Sequence, residues 1–269
     1  MSLEISILGC GSSAGVPRVA QGWGACDPDN PKNRRRRCSI LVEKPGGPDS
    51  SNRSATRLLV DAGPDCREQL IDAGIERIDA LLLTHAHADH IHGLDDVRPL
   101  TMAMRRMIDC YLDGPTWETV WVRFDYLFKT PPGSNYPPLL IPHPLRHGES
   151  FAPIGPTGPL EATPFRLNHG DIDALGFRFD KVAYTPDVKL VPDESFVFLE
   201  NLDLWIIDAL RYRDHPSHFS LGEALALIEK LKPKRAVLTN LHTDMDYATL
   251  RGQLPEHVEP AFDGMKLRV

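Results

Sequence analysis

The chain has 269 residues, 42% hydrophobic and 25% charged, with a formal net charge of −7, an ordinary composition for one globular domain over 1–269. The negative field disfavours tight nonspecific binding of polyanions, so long nucleic acid is not the expected partner. No stretch approaches the roughly 18 apolar residues that cross a bilayer, and MSLEISILGCG has neither a positive leader nor a signal core, so the expectation is a cytoplasmic protein without a membrane partner.

LEISILGCG alternates from Leu3 and ends in glycine. CSILVEK and TRLLVDAG follow as two more apolar runs, separated by the breaker-rich loop KPGGPDSSNRS, and together they predict a small antiparallel sheet. PDCREQLIDA, Pro64 to Ala73, has helical spacing with proline at its start and Gly74 after it. RIDALLLTH reads as a buried strand running into a histidine cluster. Pro131 to Pro164 is rich in proline and glycine, and KTPPGSNYPP within it is the candidate mobile flap. SLGEALALIEKL is the clearest helix: Ser220 and Glu223 form a capping box, and apolar residues recur at Leu221, Ala224, Leu225, Ile228 and Leu231. It feeds a strand, RAVLTNLH. The five cysteines, Cys10, Cys26, Cys38, Cys66 and Cys110, are scattered without a C-x-x-C pair; this argues against a disulfide framework or zinc ribbon and for small core residues.

The chemistry concentrates in LLLTHAHADHIHGLDD, where His85, His87, His90, His92, Asp89, Asp95 and Asp96 fall within twelve residues. Imidazole and carboxylate are ordinary ligands of zinc, manganese and iron. Predicted strands finish at further candidates: LLVD at Asp61, FRLNH at His169, VAYTPD at Asp187 and AVLTNLH at His242. An extended exit from LLLT lets His85 and His87 point one way while Asp89 and His90 aim at a second point. Two divalent ions are therefore expected, His169 completing the first set, His242 the second, and Asp187 bridging. A shared hydroxide is the expected nucleophile, because metal binding lowers the pKa of water from 15.7 to about 7. Asp61 is expected to fix the tautomer of a ligand histidine by accepting its hydrogen bond.

HAHADH, the upstream aspartate of LLVDAG, the later NHG, then YTPD and a last strand ending in histidine together resemble the metallo-β-lactamase fold of binuclear metallohydrolases, over Leu3 to about His242. The resemblance implies an α/β (α+β) architecture, a four-layer αββα sandwich with the site at one sheet edge, and carries the ligand set over to His85, His87, Asp89, His90, His169, Asp187 and His242. LGCGSSAGVP, HIHGLDDVRPL and HPSHFSLGEAL further resemble the branch of phosphodiesterases that contains the phosphoribosyl 1,2-cyclic phosphate phosphodiesterase. Members of that branch can carry a structural zinc on closely spaced N-terminal cysteines and a late histidine. Here only Cys26 and Cys38 stand in that segment and Thr243 follows His242, so no such zinc is expected. Where the branch's last strand commonly ends in T-H, this chain has Asn240, and His242 is the nearest histidine.

His218, and secondarily His215, precede the capped helix, where free N–H groups favour an anion; His218 is expected to contact the substrate phosphate or protonate the leaving oxygen, with His218 and Asp89 as the catalytic pair. His92 is read as structural, and Asp95 and Asp96 as a helix turn or a salt bridge to Arg98. Lys32 and Arg34 to Arg37 form the only dense cationic run, read as a loop of alternating exposed arginines entering an edge strand, with a phosphate or subunit contact as the alternative. His143 and His147 match no ligand spacing and are read as surface residues. GCGSSAG is neither a P-loop nor a dinucleotide fingerprint. The resulting expectation is a metal-dependent phosphodiester hydrolase with zinc, manganese or iron, acting on a small cyclic or nucleotide-like substrate, homodimeric by default. A thioester, lactone or β-lactam hydrolase of the same fold, or a noncatalytic metal or nucleotide sensor, are the alternatives.

Overall fold

The computed structural model describes residues 2–46 and 54–269; most of the breaker-rich loop between the second and third strands lies outside the described residues. In chain order the first strands are β1 (Glu4–Gly9), β2 (Ser39–Lys44) and β3 (Thr56–Val60). Helix α1 (Cys66–Asp72), β4 (Ala80–Leu82), α2 (Ala88–Ile91), α3 (Arg98–Met104), β5 (Ile108–Leu112), α4 (Gly114–Phe124) and β6 (Leu140–Pro144) follow. The second half holds a short hairpin of β7 (Ile154–Gly155) and β8 (Gly158–Pro159), then β9 (Thr163–His169), β10 (Ile172–Phe179), β11 (Val182–Thr185) and β12 (Leu204–Asp208). The chain closes with α5 (Leu221–Leu231), β13 (Arg235–Thr239), α6 (Tyr247–Gln253), β14 (Val258–Pro260) and β15 (Lys266–Arg268).

The antiparallel β1-β2-β3 start predicted from sequence is present, but it is one end of a seven-stranded sheet ordered β15-β1-β2-β3-β4-β5-β6. The second sheet is ordered β14-β13-β12-β11-β10-β9. Strand alternation builds the layers. Ile5, Ile7, Ile40, Val42, Leu58, Val60, Ala80 and Leu82 point inward and meet Phe177, Phe179, Tyr184, Ile206 and Val237 of the opposite sheet. The other faces are covered by helices. Leu41, Leu59 and Leu81 pack with Cys66, Leu70, Ile91 and Val120, while Trp205, Ile207 and Leu238 pack with Ala224, Ile228 and Leu250. A β-sheet buried on both faces needs a continuous apolar run, which is why LLLT and LWIID lack alternation. The result is four layers in the order αββα. Among the described residues no helix is long and apolar enough to cross a membrane.

The proline-rich middle holds more structure than sequence reading assigned: β6 pairs parallel to β5, and β7 and β8 pair antiparallel. α5 starts on the predicted capping box, Ser220 accepting from the Glu223 N–H and the Glu223 carboxylate from the Ser220 N–H. The arginine run is not a row of exposed side chains. Arg35 is 2% exposed; its guanidinium donates to Asn33 Oδ1 at 3.1 Å, Met245 O at 2.8 Å and His242 O at 3.4 Å. Arg36 pairs with Asp72 and Asp263, and Arg37 with Asp65. Arg35 clamps the N-terminal loop to the segment after β13, and Arg36 and Arg37 tie it to α1 and to the turn before β15, so three of the four arginines are spent on the fold.

That clamp continues at Asp246, the N-cap of α6, whose carboxylate accepts from Thr249 N at 2.9 Å, Asn33 Nδ2 at 2.7 Å and Asp27 N at 3.2 Å. Burial works against its charge, but these donors outweigh it and pull its pKa down to about 2. A depressed carboxylate contributes stability that is present above the ordinary value near 4 and is lost as pH falls through the folded value. Asp246→Ala is expected to lower stability by about 1 kcal/mol, the usual worth of a cap, in urea unfolding at pH 7. The deficit relative to the unmodified chain should shrink between pH 4 and pH 2.

Candidate metal centre

Parallel strands deliver their C-terminal ends to one edge. β3 and β4 run parallel in the first sheet, and β11, β12 and β13 in the second; β9, antiparallel to β10 as β10 is to β11, runs with them. Asp61, His85, His169, Asp187, Asp208 and Asn240 lie at or just after these six strand ends. Asp61 and Asn240 leave their strands with φ of 63° and 62°, in the left-handed region that Asp and Asn tolerate better than most residues. Each turns the chain sharply at the site. Gly63 then lets the loop after β3 lie against the metal loop, since a Cβ there would collide with the Asp89 carbonyl.

Four imidazoles have their Nδ1 sides engaged and their Nε2 sides turned inward. His90 Nδ1 donates to Asp61 Oδ2 at 2.7 Å, and His169 Nδ1 donates to the Ser217 carbonyl at 2.7 Å. His218 Nδ1 donates to Asp208 Oδ2 at 2.8 Å. His85 Nδ1 lies 3.0 Å from Thr84 Oγ1, which itself donates to Asp61 Oδ2 at 2.8 Å. A proton on Nδ1 leaves a lone pair on Nε2, the form a metal requires.

Asp187, 2% exposed, divides the cluster. Its Oδ2 faces His169 Nε2 at 3.6 Å, His85 Nε2 at 3.9 Å and His218 Nε2 at 3.9 Å. Its Oδ1 faces His90 Nε2 at 3.2 Å and Asn240 Nδ2 at 3.3 Å. His87 Nδ1 lies 3.2 Å from His169 Nε2, and Asp89 Oδ2 lies 3.4 Å from His90 Nε2. Three overlapping groups have ligand atoms within 4.8 Å of one another: His85, His87 and His169; His85, His90 and Asp187; His169, Asp187 and His218. His85 Nε2 is buried with no hydrogen-bond partner, a costly state for an imidazole lone pair unless a cation meets it. The donor set therefore fits divalent metal ions.

Electrostatics agree with that fit. Burial, then the neighbouring His90, holds the His85 pKa well below the ordinary value, keeping it neutral. Burial opposes charge on His90 too, but Asp187, Asp61 and Asp89 outweigh it and raise its pKa well above the usual range. Three carboxylates converging on one buried ring are a surplus of negative charge, which a divalent ion would neutralise. Burial also opposes charge on His218, and Asp208 and Asp187 outweigh it, pushing its pKa up to about 9.

Of the predicted ligands, His85, His87, Asp89, His90, His169 and Asp187 come together, with Asp61 behind His90. His242 does not join them. Its Nδ1 lies 3.1 Å from Asp244 Oδ1 and it is in none of the three groups, because β13 ends at Thr239 and the left-handed turn at Asn240 puts the amide, not the histidine, against Asp187. His218 stands in the cluster beside His169, while His215 Nδ1 is engaged by the Ser217 N–H and hydroxyl. His92 packs edge-on against Phe124, with ring centroids 6.1 Å apart, and Asp95 pairs with Arg98. His143 bonds Asp109 at 2.7 Å, and His147 Nδ1 accepts from the Arg166 N–H at 3.0 Å. Sequence reading missed Asp208. Its signal was present, since LWIID ends at an aspartate as LLVD does.

The family model described as a beta-lactamase superfamily domain matches residues 56–240, the span that carries the whole cluster. The chain belongs to the beta-lactamase superfamily. The superfamily fold covers all of it in one solved structure, a diphosphatase of the PhnP family, with a TM-score of 0.87 and 33% identity over 100% of this chain and 98% of that one. An octanoyltransferase of Porphyromonas gingivalis is 32% identical over 265 residues, 97% of this chain. A ribonuclease Z of Bradyrhizobium sp. is 29% identical over 151 residues, 55% of this chain. The chain covers 50% of the first of these two relatives and the match covers 46% of the second.

Metal analysis after dialysis against zinc is expected to find His242→Ala with the same content as the unmodified chain, whereas His87→Ala loses bound ion. Asp61→Ala leaves Thr84 N, Thr84 Oγ1 and His90 Nδ1 without their acceptor and is expected to cost about 3 kcal/mol or more in urea unfolding.

Proposed function

We propose that the protein is a binuclear metal-dependent hydrolase that cleaves a phosphodiester in a small cyclic or nucleotide-like substrate. Two divalent ions held by His85, His87, Asp89, His90, His169 and Asp187 would supply Lewis acidity and a water acidified to near neutrality. The observation that carries the reading is His218. Its side chain is 13% exposed at the rim of the cluster, and Asp208 fixes its ring so that Nε2 faces the space above Asp187. A hydrolysis at phosphorus needs such a group: water adds, the bond to the leaving oxygen breaks, and that oxygen takes a proton from His218 Nε2. The proton of the attacking water passes to solvent, leaving a phosphate monoester and an alcohol. The names of two similar proteins, the diphosphatase and ribonuclease Z, denote cleavage at phosphorus.

A cavity of about 550 Å³ opens beside His87, lined by Ala86, Ala88, His92, Arg123 and Phe124. Arg123 makes no ion pair among the described residues; its guanidinium is tethered only to Ala86 O at 3.4 Å. It is placed to receive a second anionic group of the substrate, with the His92–Phe124 pair as an aromatic wall.

Bis(p-nitrophenyl) phosphate with added manganese or zinc is expected to be hydrolysed, and His87→Ala to abolish it. Faster turnover of a lactone or thioester would replace this reading with that of the other hydrolases, and ion binding without turnover of any of the three would make the protein a sensor. His218→Ala should lower kcat by about 10²–10⁴ for a diester with an alkyl alcohol leaving group, and far less for p-nitrophenol, which needs no proton. Arg123→Ala should raise KM about tenfold for a substrate bearing a second phosphate, the worth of one charge-assisted contact, and leave bis(p-nitrophenyl) phosphate unaffected.

A further inference from the structure

The two halves of the cluster are chemically unequal. On the Oδ2 side of Asp187 stand His85 Nε2, His169 Nε2 and, against His169, His87 Nδ1. On the Oδ1 side stand His90 Nε2 and, 3.4 Å from it, Asp89 Oδ2. The remaining neighbour on that side is Asn240. Its amide nitrogen donates to the Pro186 carbonyl at 3.0 Å and lies 3.3 Å from Asp187 Oδ1. The same nitrogen also lies 3.2 Å from His218 Nδ1, whose proton is turned to Asp208; the Pro186 and Asp187 oxygens are acceptors and fix the –NH₂ end there, and an amide N–H₂ offers no lone pair to a metal. His242, the nearest histidine in sequence, is held away at Asp244.

We infer that the centre is built for two different ions: a tightly held one of the zinc type in the three-histidine position, and a weakly held, exchangeable hard cation such as manganese at Asp89, His90 and Asp187. The inference rests on the metallohydrolase reading and refines its cofactor. Imidazole-rich sites suit zinc, whereas carboxylate-dominated ones suit manganese and magnesium. Asn240 also donates a hydrogen bond to the very oxygen that the second ion would use, which lowers the basicity of that oxygen. The second position therefore has one nitrogen donor against three in the first, and a competing donor on its bridging carboxylate.

Zinc titration of the chelator-stripped, full-length protein against a fluorescent zinc indicator tests this without any turnover. Two equivalents should bind, the second about 100-fold more weakly, on the scale that ligand-shell changes carry in metal affinity. Manganese added to the protein carrying one zinc should give the six-line electron paramagnetic resonance spectrum of an isolated bound ion, with no loss of zinc by elemental analysis. Asn240→His, which replaces the blocking amide with an imidazole, should tighten the second equivalent about tenfold or more and leave the first unchanged. Two equivalents of equal affinity, or manganese displacing zinc from the first position, would overturn the inference and leave the hydrolase reading intact. Failure to bind any zinc would overturn that reading itself. The titration of the unmodified chain decides the matter even where Asn240→His does not fold.

Discussion

The Asp61 carboxylate is the interaction on which the remainder of the site depends. It is fully buried and accepts from Thr84 N, Thr84 Oγ1 and His90 Nδ1, so one side chain joins the end of β3, the exit of β4 and helix α2. Burial raises its pKa, and His90 and the Thr84 donors act against that. A buried carboxylate is tolerable only when its lone pairs are met. Here the groups that meet it are also those that aim His85 and His90, so the cost of burying the charge is offset by the same bonds that organise the histidine-rich loop.

The sandwich explains why such an arrangement stays rigid. Asp61, His85 and Asp187 follow strands whose two faces are packed, one against the opposite sheet and one against helices, and His169 follows the edge strand β9, whose Phe165 and Leu167 are buried. Dense packing on both faces leaves a strand end little freedom to move. The sheets are also tied together at the site edge: Leu175 N bonds the Thr84 carbonyl across the layers, and Gly11 bridges to Leu241. Ligands from the two halves of the chain are therefore held at fixed separation, as the Asp187 distances to His85, His90 and His169 require.

The same frame separates two roles that the residues could have shared. Asp187 lies between the imidazoles and takes them up on both of its oxygens. Asp208, one strand over, touches none of the three-histidine position and bonds only His218 and Val188 N. One carboxylate thus faces the imidazole cluster on both oxygens, while its neighbour on the adjacent strand is engaged by the His218 ring. The arginine run is absorbed elsewhere: by bonding Met245 and His242 carbonyls, Arg35 fixes the segment that follows Asn240 and so fixes where His242 can go.

The sequence by itself determined the histidine-rich loop after β4, the strand ends at Asp61, His169 and Asp187, and the capped helix at Ser220. Each of these is local: the spacing within HAHADH, a run ending at a ligand, or a box of four residues suffices to define it. The antiparallel start of the first sheet was legible for the same reason. Only the tertiary structure decided that Asn240 and not His242 faces Asp187, that Asp208 stands behind His218, and that Arg35 is a buried clamp. These are outcomes of register between neighbouring strands and of one left-handed turn. A displacement of a single residue along a strand exchanges the inward and outward faces, and no local pattern records which neighbour a strand end will meet.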